Sequence, residues 1–171
     1  MAWNVIRVLY ENYDMDKREA EDLLDFVAMA TVCDVMSLTG ENRILVKEGL
    51  KRIRHTKNIG LQALMQACNV QPENISAYHF GYVLGPCVNA TGRLDTARHA
   101  LRLFETGQET EAEEIARDLV DLNQERKELT LQGVEMAKKL CEEGGYENDP
   151  VLVLFLPDVH ESIAGLIAGR I

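Results

Sequence analysis

A periodic stretch from about residue 108 to 143 constrains this chain more than any other feature. Ile115, Leu119, Leu122, Arg126, Leu129, Gly133, Met136 and Leu140 recur at alternating steps of four and three, a heptad pattern interrupted at Arg126 and Gly133. At 1.5 Å per residue a helix of that length runs roughly 50 Å, more than a compact domain of this size requires. The spacing predicts an arm joining two lobes. A coiled-coil dimer through the same seam is the competing reading.

The elements around the arm read as helices for the most part. Ala2, Val5, Ile6, Leu9 and Tyr13 share one helical face. Asp16 and Glu19 form a capping-box pattern ahead of Ala20, Leu23, Leu24 and Val27. The run from Phe26 to Cys33 is apolar on nearly every side, which predicts burial all round, and Ser37 to Gly40 breaks it. Helices are expected over about 41–55 and 59–68, with a loop at 69–74 and a short helical stretch from Ile75. Gly85-Pro86 ends that stretch, and Gly85 to Leu94 mixes turn formers with small residues, which predicts a loop. Asp95 is placed to cap a helix ending near Thr106. After Gly144-Gly145, Asp149-Pro150 introduces Val151 to Leu156, apolar enough for a strand inside a sheet. Pro157 closes it, and a helix follows from Ile163 to Arg170. The fold class expected is mainly α, with one strand. Neither end carries the cap its helix calls for, so the chain reads as a piece of a longer protein.

Composition narrows the functional classes. In 171 residues, hydrophobic side chains make up 46% and charged ones 27%, which allows a buried core and argues against wholesale disorder. No apolar run reaches the roughly 18–20 residues needed to span a bilayer, and no secretion signal opens the chain, so no membrane association is expected. Cys33, Cys68, Cys87 and Cys141 form no C-x-x-C pair; a zinc ribbon or disulfide framework is not indicated, and a reducing, cytoplasmic setting fits. The net charge of −10 opposes non-specific nucleic-acid binding when taken whole. The charge is uneven, however. Lys47, Lys51, Arg52, Arg54 and Lys57 gather in one group and Arg93, Arg98 and Arg102 in another, while the acid excess lies over 105–128. A solvated helix face is the ordinary account of either basic group.

Three segments could carry chemistry. Asp34 is the only charge between Phe26 and Met36; a carboxylate in such a run costs several kcal/mol unless paired, hydrogen-bonded or bound to a cation. It reads either as a metal ligand or as a local cap. In the Gly85 to Leu94 segment, Gly85 and Gly92 permit close backbone approach, and Asn89 and Arg93 can donate to phosphate oxygens; a plain helix connection fits the same spacing. At the corner leading into the last helix, His160 and Ser162 stand where unpaired N–H groups attract anions. Ser162 lacks the Gly-x-Ser-x-Gly surroundings of a nucleophile, and simple capping is its other reading.

Taken in order, these segments resemble the RecJ-type single-stranded-DNA exonucleases of the DHH phosphoesterase superfamily. Phe26 to Arg43 is similar to that family's fourth motif, an apolar run with a metal-binding aspartate, here Asp34. Gly85-Pro86-Cys87-Val88-Asn89-Ala90-Thr91-Gly92-Arg93-Leu94 is similar to its G-P-x-x-N-A-x-G-R-L motif, with Cys87 where the family often has Arg. His160 to Arg170 resembles the opening of its DHHA1 domain. The resemblance implies a division into the helical C-terminal part of a DHH domain (1–84), the motif with a long connecting helix (85–145), and a truncated strand–helix start of DHHA1 (146–171). It further implies two Mn²⁺ or Mg²⁺ ions, one held by Asp34, with the Asp-His-His triplet and other ligands outside this chain. Asn89 and Arg93 would act as catalytic groups, and Gly85, Asn89, Gly92, Arg93, His160, Ser162, Gly165 and Arg170 would hold the strand. The implied activity is 5′–3′ hydrolysis of single-stranded DNA in repair and recombination, with the piece inactive alone and its oligomeric state open. Two other readings remain: a DHH phosphodiesterase acting on short oligonucleotides or cyclic dinucleotides, and a non-enzymatic helical interaction module.

Overall fold

The computed structural model describes residues 2–146 and 149–171, so the opening of the third implied segment, at 147–148, lies outside the described residues. A single uninterrupted helix of 36 residues, Glu109–Gly144, organises the rest; at 1.5 Å per residue it is about 54 Å long. Glu109 and Glu111 in its first turn favour the positive end of the helix dipole, and Gly145, at φ 68°, gives it a left-handed stop. Ahead of it come α1 (Ala2–Asn12), α2 (Lys17–Glu21), α3 (Leu24–Cys33), α4 (Gly40–Arg52), α5 (Ile59–Ala67), α6 (Ala77–His79), α7 (Gly85–Leu94) and α8 (Ala97–Glu105). The long helix is α9, and α10 (Glu161–Ala168) follows it.

α9 serves two cores. At its first half, Ala112, Ile115, Ala116 and Leu119 pack into a cluster that includes Leu61, Leu64, Phe80, Leu84 and Leu103. At its second half, Val134 and Ala137 meet Ile163 and Ile167 of α10. Gly133 makes the second contact possible, because a Cβ there would overlap the Ile167 side chain. Between the two cores the buried residues of α9 are Asn123 and Thr130. Past Leu119 the buried stripe is thus built mostly from small and polar side chains, while Met136 and Leu140 of the expected seam are exposed. Within the one chain, α5, α7, α8 and α10 all pack on α9.

The strand expected over Val151 to Leu156 does not form, and no β-strand occurs among the described residues. The strand–helix start of a DHHA1 domain implied by the resemblance is therefore absent from the described fold, which is helical in every regular element. The segment is extended and keeps a two-residue alternation: Leu154 and Leu156 pack toward α9 and α10, while Val153 and Phe155 are 89% and 82% exposed. A strand exists only as one side of a hydrogen-bonded ladder, and no second strand is present among the described residues to supply the other side. The cap before α8 also differs from expectation. Thr96 caps it by accepting from the Arg98 N–H at 3.3 Å, whereas Asp95 pairs with His99 Nδ1 at 2.9 Å.

Candidate nucleic-acid interface

Gly85 to Leu94, expected as a loop, is the helix α7. Gly and Pro misled because their usual effect is cancelled by what precedes them. Phe80–Leu84 forms a π-helical turn, closed by the Gly85 N–H on the Phe80 carbonyl. A proline in a continuous α-helix crowds the carbonyl four residues back and leaves it without a donor; the wider turn absorbs that misfit. Gly85 is required for a second reason, since a Cβ there would collide with the Cys33 Sγ and the Phe80 carbonyl. Cys33 in turn donates to that carbonyl at 3.4 Å. The end of α3 is thereby fixed against the start of α7.

Asp34 sits at that junction as the C-cap of α3, and it is exposed. The burial expected for it is not observed: α3 ends at Cys33, Val35 turns to φ 55°, and Val35 and Met36 face solvent. The buried carboxylate belongs to Asp25, which is 4% exposed. Asp25 Oδ2 accepts from Thr56 Oγ1 at 2.7 Å and Oδ1 from the Phe26 N–H at 2.7 Å. Burial pushes its carboxyl pKa up, against the opposing pull of those hydrogen bonds. Asp25 ties α3 to the turn after α4, and its place on the Leu24–Asp25–Ala28–Met29 stripe was the signal that could have found it.

From Gly85, Asn89 lies one turn along α7 and Arg93 two, about 6 Å per step. Asn89 is exposed. Arg93 Nη1 donates to the Ser162 carbonyl at 2.7 Å, which joins the motif helix to the corner before α10. The charges of Arg93 and of Arg170, which follows α10, both act on Arg126 of α9. Arg126 is half-buried on the polar middle of α9, its Nε and Nη2 donating to Asn123 Oδ1 at 3.2 and 2.9 Å. Desolvation, and then the charges of Arg93 and Arg170, push its guanidinium pKa down. Among the described residues no carboxylate pairs with any of these three arginines. Like charges gathered without a counter-charge raise the energy of the free protein and favour an anion. Gly92 and Gly165 flank the Arg93–Ser162 contact in sequence, and open space surrounds each.

Other expected residues have different duties. His160 Nδ1 accepts from the Ser162 N–H at 3.3 Å and pairs with Ser162 Oγ at 2.7 Å, so the two side chains close the end of α10 between them. Arg102 is bound to Glu111 at 2.7 Å. Lys51 pairs with Glu48, and Arg52 with Glu21 and Asp22, so part of the 47–57 group is neutralised on the surface. Arg126 was missed as a site residue, although its interruption of the heptad seam was the visible sign. As for a metal, no group of three or more His, Cys, Asp or Glu side chains among the described residues could hold an ion. Hard divalent cations take six or more oxygen ligands, so the described residues do not by themselves fit a metal centre; Asp34 offers one carboxylate.

No protein-family model matches the chain. The single-stranded-DNA-specific exonuclease RecJ of Escherichia coli is 38% identical over 155 residues, which make up 88% of this chain and 27% of that protein. The crystal structure of RecJ in complex with Mn²⁺ from Thermus thermophilus superposes with a TM-score of 0.83 at 32% identity, over 99% of this chain and 25% of that one. A structure of exonuclease RecJ bound to manganese gives 0.84 at 32% identity, over 99% of this chain and 42% of that one. No described helix is long and apolar enough to cross a membrane. The chain is a homologue of the RecJ-type single-stranded-DNA-specific exonucleases of the DHH/DHHA1 superfamily along nearly its whole length, over a span that makes up about a quarter of the curated relatives it matches.

Proposed function

We propose that this chain supplies the phosphate-gripping face of a metal-dependent nuclease that hydrolyses single-stranded DNA from the 5′ end in repair and recombination. The observation that carries the reading is the convergence of Arg93, Arg126 and Arg170 without an acidic partner among the described residues, at a point where α7, α9 and the approach to α10 meet. Guanidinium groups bind phosphate oxygens through paired N–H donors. Asn89, one turn earlier, adds an amide donor on the way to Asp34. Gly92 and Gly165 leave room for a sugar-phosphate backbone to lie close. Asp34 would contribute one carboxylate to a Mn²⁺ or Mg²⁺ centre whose other ligands are not among the described residues. Such ions, when bound, activate water and stabilise charge on a scissile phosphodiester. The overall charge of −10 does not oppose this, because the acids of α9 lie along its outer, exposed face.

Titration of a fluorescent single-stranded oligonucleotide with this chain, across a range of salt, tests the reading. Three phosphate contacts on a single strand predict a slope of log affinity against log salt of about −2. Replacing Arg93, Arg126 or Arg170 with Ala should each weaken binding and flatten the slope by about 0.7. Binding that ignores all three substitutions sinks the proposal. With Mn²⁺ added, the chain alone should release no nucleotide, since it offers one ligand.

A further inference from the structure

We propose that Cys68 and Cys87 are a redox-active dithiol that closes to an intramolecular disulfide and, through Asn123, unseats Arg126. The two thiols come from different helices. Cys68 is the C-cap of α5, and Cys87 lies in the first turn of α7. Their sulfurs are 3.8 Å apart, whereas a disulfide holds them at about 2.05 Å, so closure asks for less than 2 Å of approach. Cys87 also donates to the Val83 carbonyl at 3.3 Å, a bond given up on ionisation; Cys33 donates to the Phe80 carbonyl, and Cys141 lies half-buried near the far end of α9. The pair is also asymmetric in reach, with Cys87 buried and Cys68 half-buried at its opening.

The Asn123 amide, which donates to the Cys87 sulfur, distinguishes the two thiols. Cys87 Sγ is paired with the Cys68 thiol and accepts the Asn123 Nδ2–H at 3.5 Å. The Cys68 contact, with help from Asn123 and the charges of Lys127 and Arg126, draws the Cys87 thiol pKa below its ordinary value against the cost of burial. The Cys68 thiol is pushed up by the same contact and by desolvation. Thiolate character sets reactivity toward oxidants. The oxidant proposed is a small hydroperoxide. The Cys87 thiolate attacks a peroxide oxygen, the O–O bond breaks, and the departing hydroxide or alkoxide takes a proton, leaving a sulfenic acid. Cys68 then attacks the Cys87 sulfur, the S–O bond breaks, and the leaving hydroxide takes the Cys68 proton as water. Two electrons from the thiol pair reduce one peroxide, and the balance closes without another reactant.

Closure reaches the arginine cluster along a short relay. Asn123, itself buried, uses Nδ2 on Cys87 and Oδ1 on both donors of Arg126. Drawing the Cys87 sulfur toward α5 removes the acceptor that orients the Asn123 amide, and Arg126 loses its anchor with it. The relay depends only on contacts within this chain, and its readouts are independent of nuclease activity and of DNA binding.

The test treats the full chain with a slight excess of hydrogen peroxide. Thiols titrated after denaturation should fall from four to two and return with dithiothreitol. The intact mass should drop by two hydrogens, and a peptide map should link residues 68 and 87. Cys68→Ser should block the disulfide and leave a dimedone-trappable sulfenic acid on residue 87; Cys87→Ser should show neither, with helicity checked by circular dichroism in both. In nuclear magnetic resonance spectra, the Arg126 Nε–H should exchange faster with water in the oxidised chain and be unchanged in peroxide-treated Cys68→Ser. Four surviving thiols, a bridge through Cys33 or Cys141, or an Arg126 signal indifferent to oxidation overturns the proposal.

Discussion

The two ends of α9 make the same kind of contact with very different support. At the first half, α5, α7 and α8 pack on it, and large side chains such as Phe80, Leu61, Leu64 and Leu103 are fully buried. At the second half, one eight-residue helix and an extended segment cover it, with Ile163 and Ile167 the main anchors. Val153 and Phe155 beside them stand in solvent. A helix satisfies its backbone by itself and needs only one apolar stripe to dock. An extended segment needs a neighbour for its N–H and C=O groups. The helical end is therefore complete on local terms, and the other end is held by side-chain packing and the Arg93–Ser162 hydrogen bond.

On that contrast, the largest effect of any single truncation belongs to the first core. Phe80→Ala should lower global stability by about 3–5 kcal/mol in urea unfolding, through both lost burial and the cavity left under the π turn. Gly133→Val should come next, at about 1–3 kcal/mol for overpacking. Because it collides with Ile167, its loss should appear as faster amide exchange in α10 with α3–α8 unaffected. Equal loss of protection in both regions would merge the two cores into one. Asp25→Asn should have a smaller, pH-dependent effect. The folded carboxyl has a raised pKa, so its favourable contribution is greatest while protonated and fades as pH rises through that value. The amide variant should therefore gain on the parent as pH rises from the ordinary aspartate range through the raised value, read as converging or crossing urea midpoints. Phe155→Ser should be nearly silent, within about 0.5 kcal/mol. A larger loss would show that the extended segment is packed more firmly than its exposure indicates.

Much of the first region was legible from periodicity. The helix expected over about 108–143 is observed at Glu109–Gly144, and those expected near 41–55 and 59–68 appear as α4 with its terminal turn and as α5. The misreadings arise where local residues are overruled by a neighbour. Gly85-Pro86 signals a break, yet the π turn before it lets the helix continue. Asp34 sits in an apolar run but emerges at a helix end, whereas Asp25, inside the stripe, is buried. Val151 to Leu156 has the composition and alternation of a strand but no partner among the described residues. At the candidate interface, Arg93, Ser162 and Arg170 were each visible in motifs. Arg126 was not, because a charge within a hydrophobic seam registers as a defect until the helices opposite it are in place. Cys68 and Cys87, nineteen positions apart, likewise become a pair only through the packing of α5 on the core.

The π turn at Phe80–Leu84 has one more consequence, and it concerns phase. A wider turn inserts a residue without adding a full step of α-helical rotation, so all that follows is turned by about 100° relative to what an unbroken helix would present. Asn89 and Arg93 owe their bearing to that offset. Shortening the turn by one residue would leave every motif letter in the chain intact while swinging the Arg93 guanidinium away from Ser162. The aim of α7 is thus encoded upstream of the motif, in five residues that are not themselves part of it.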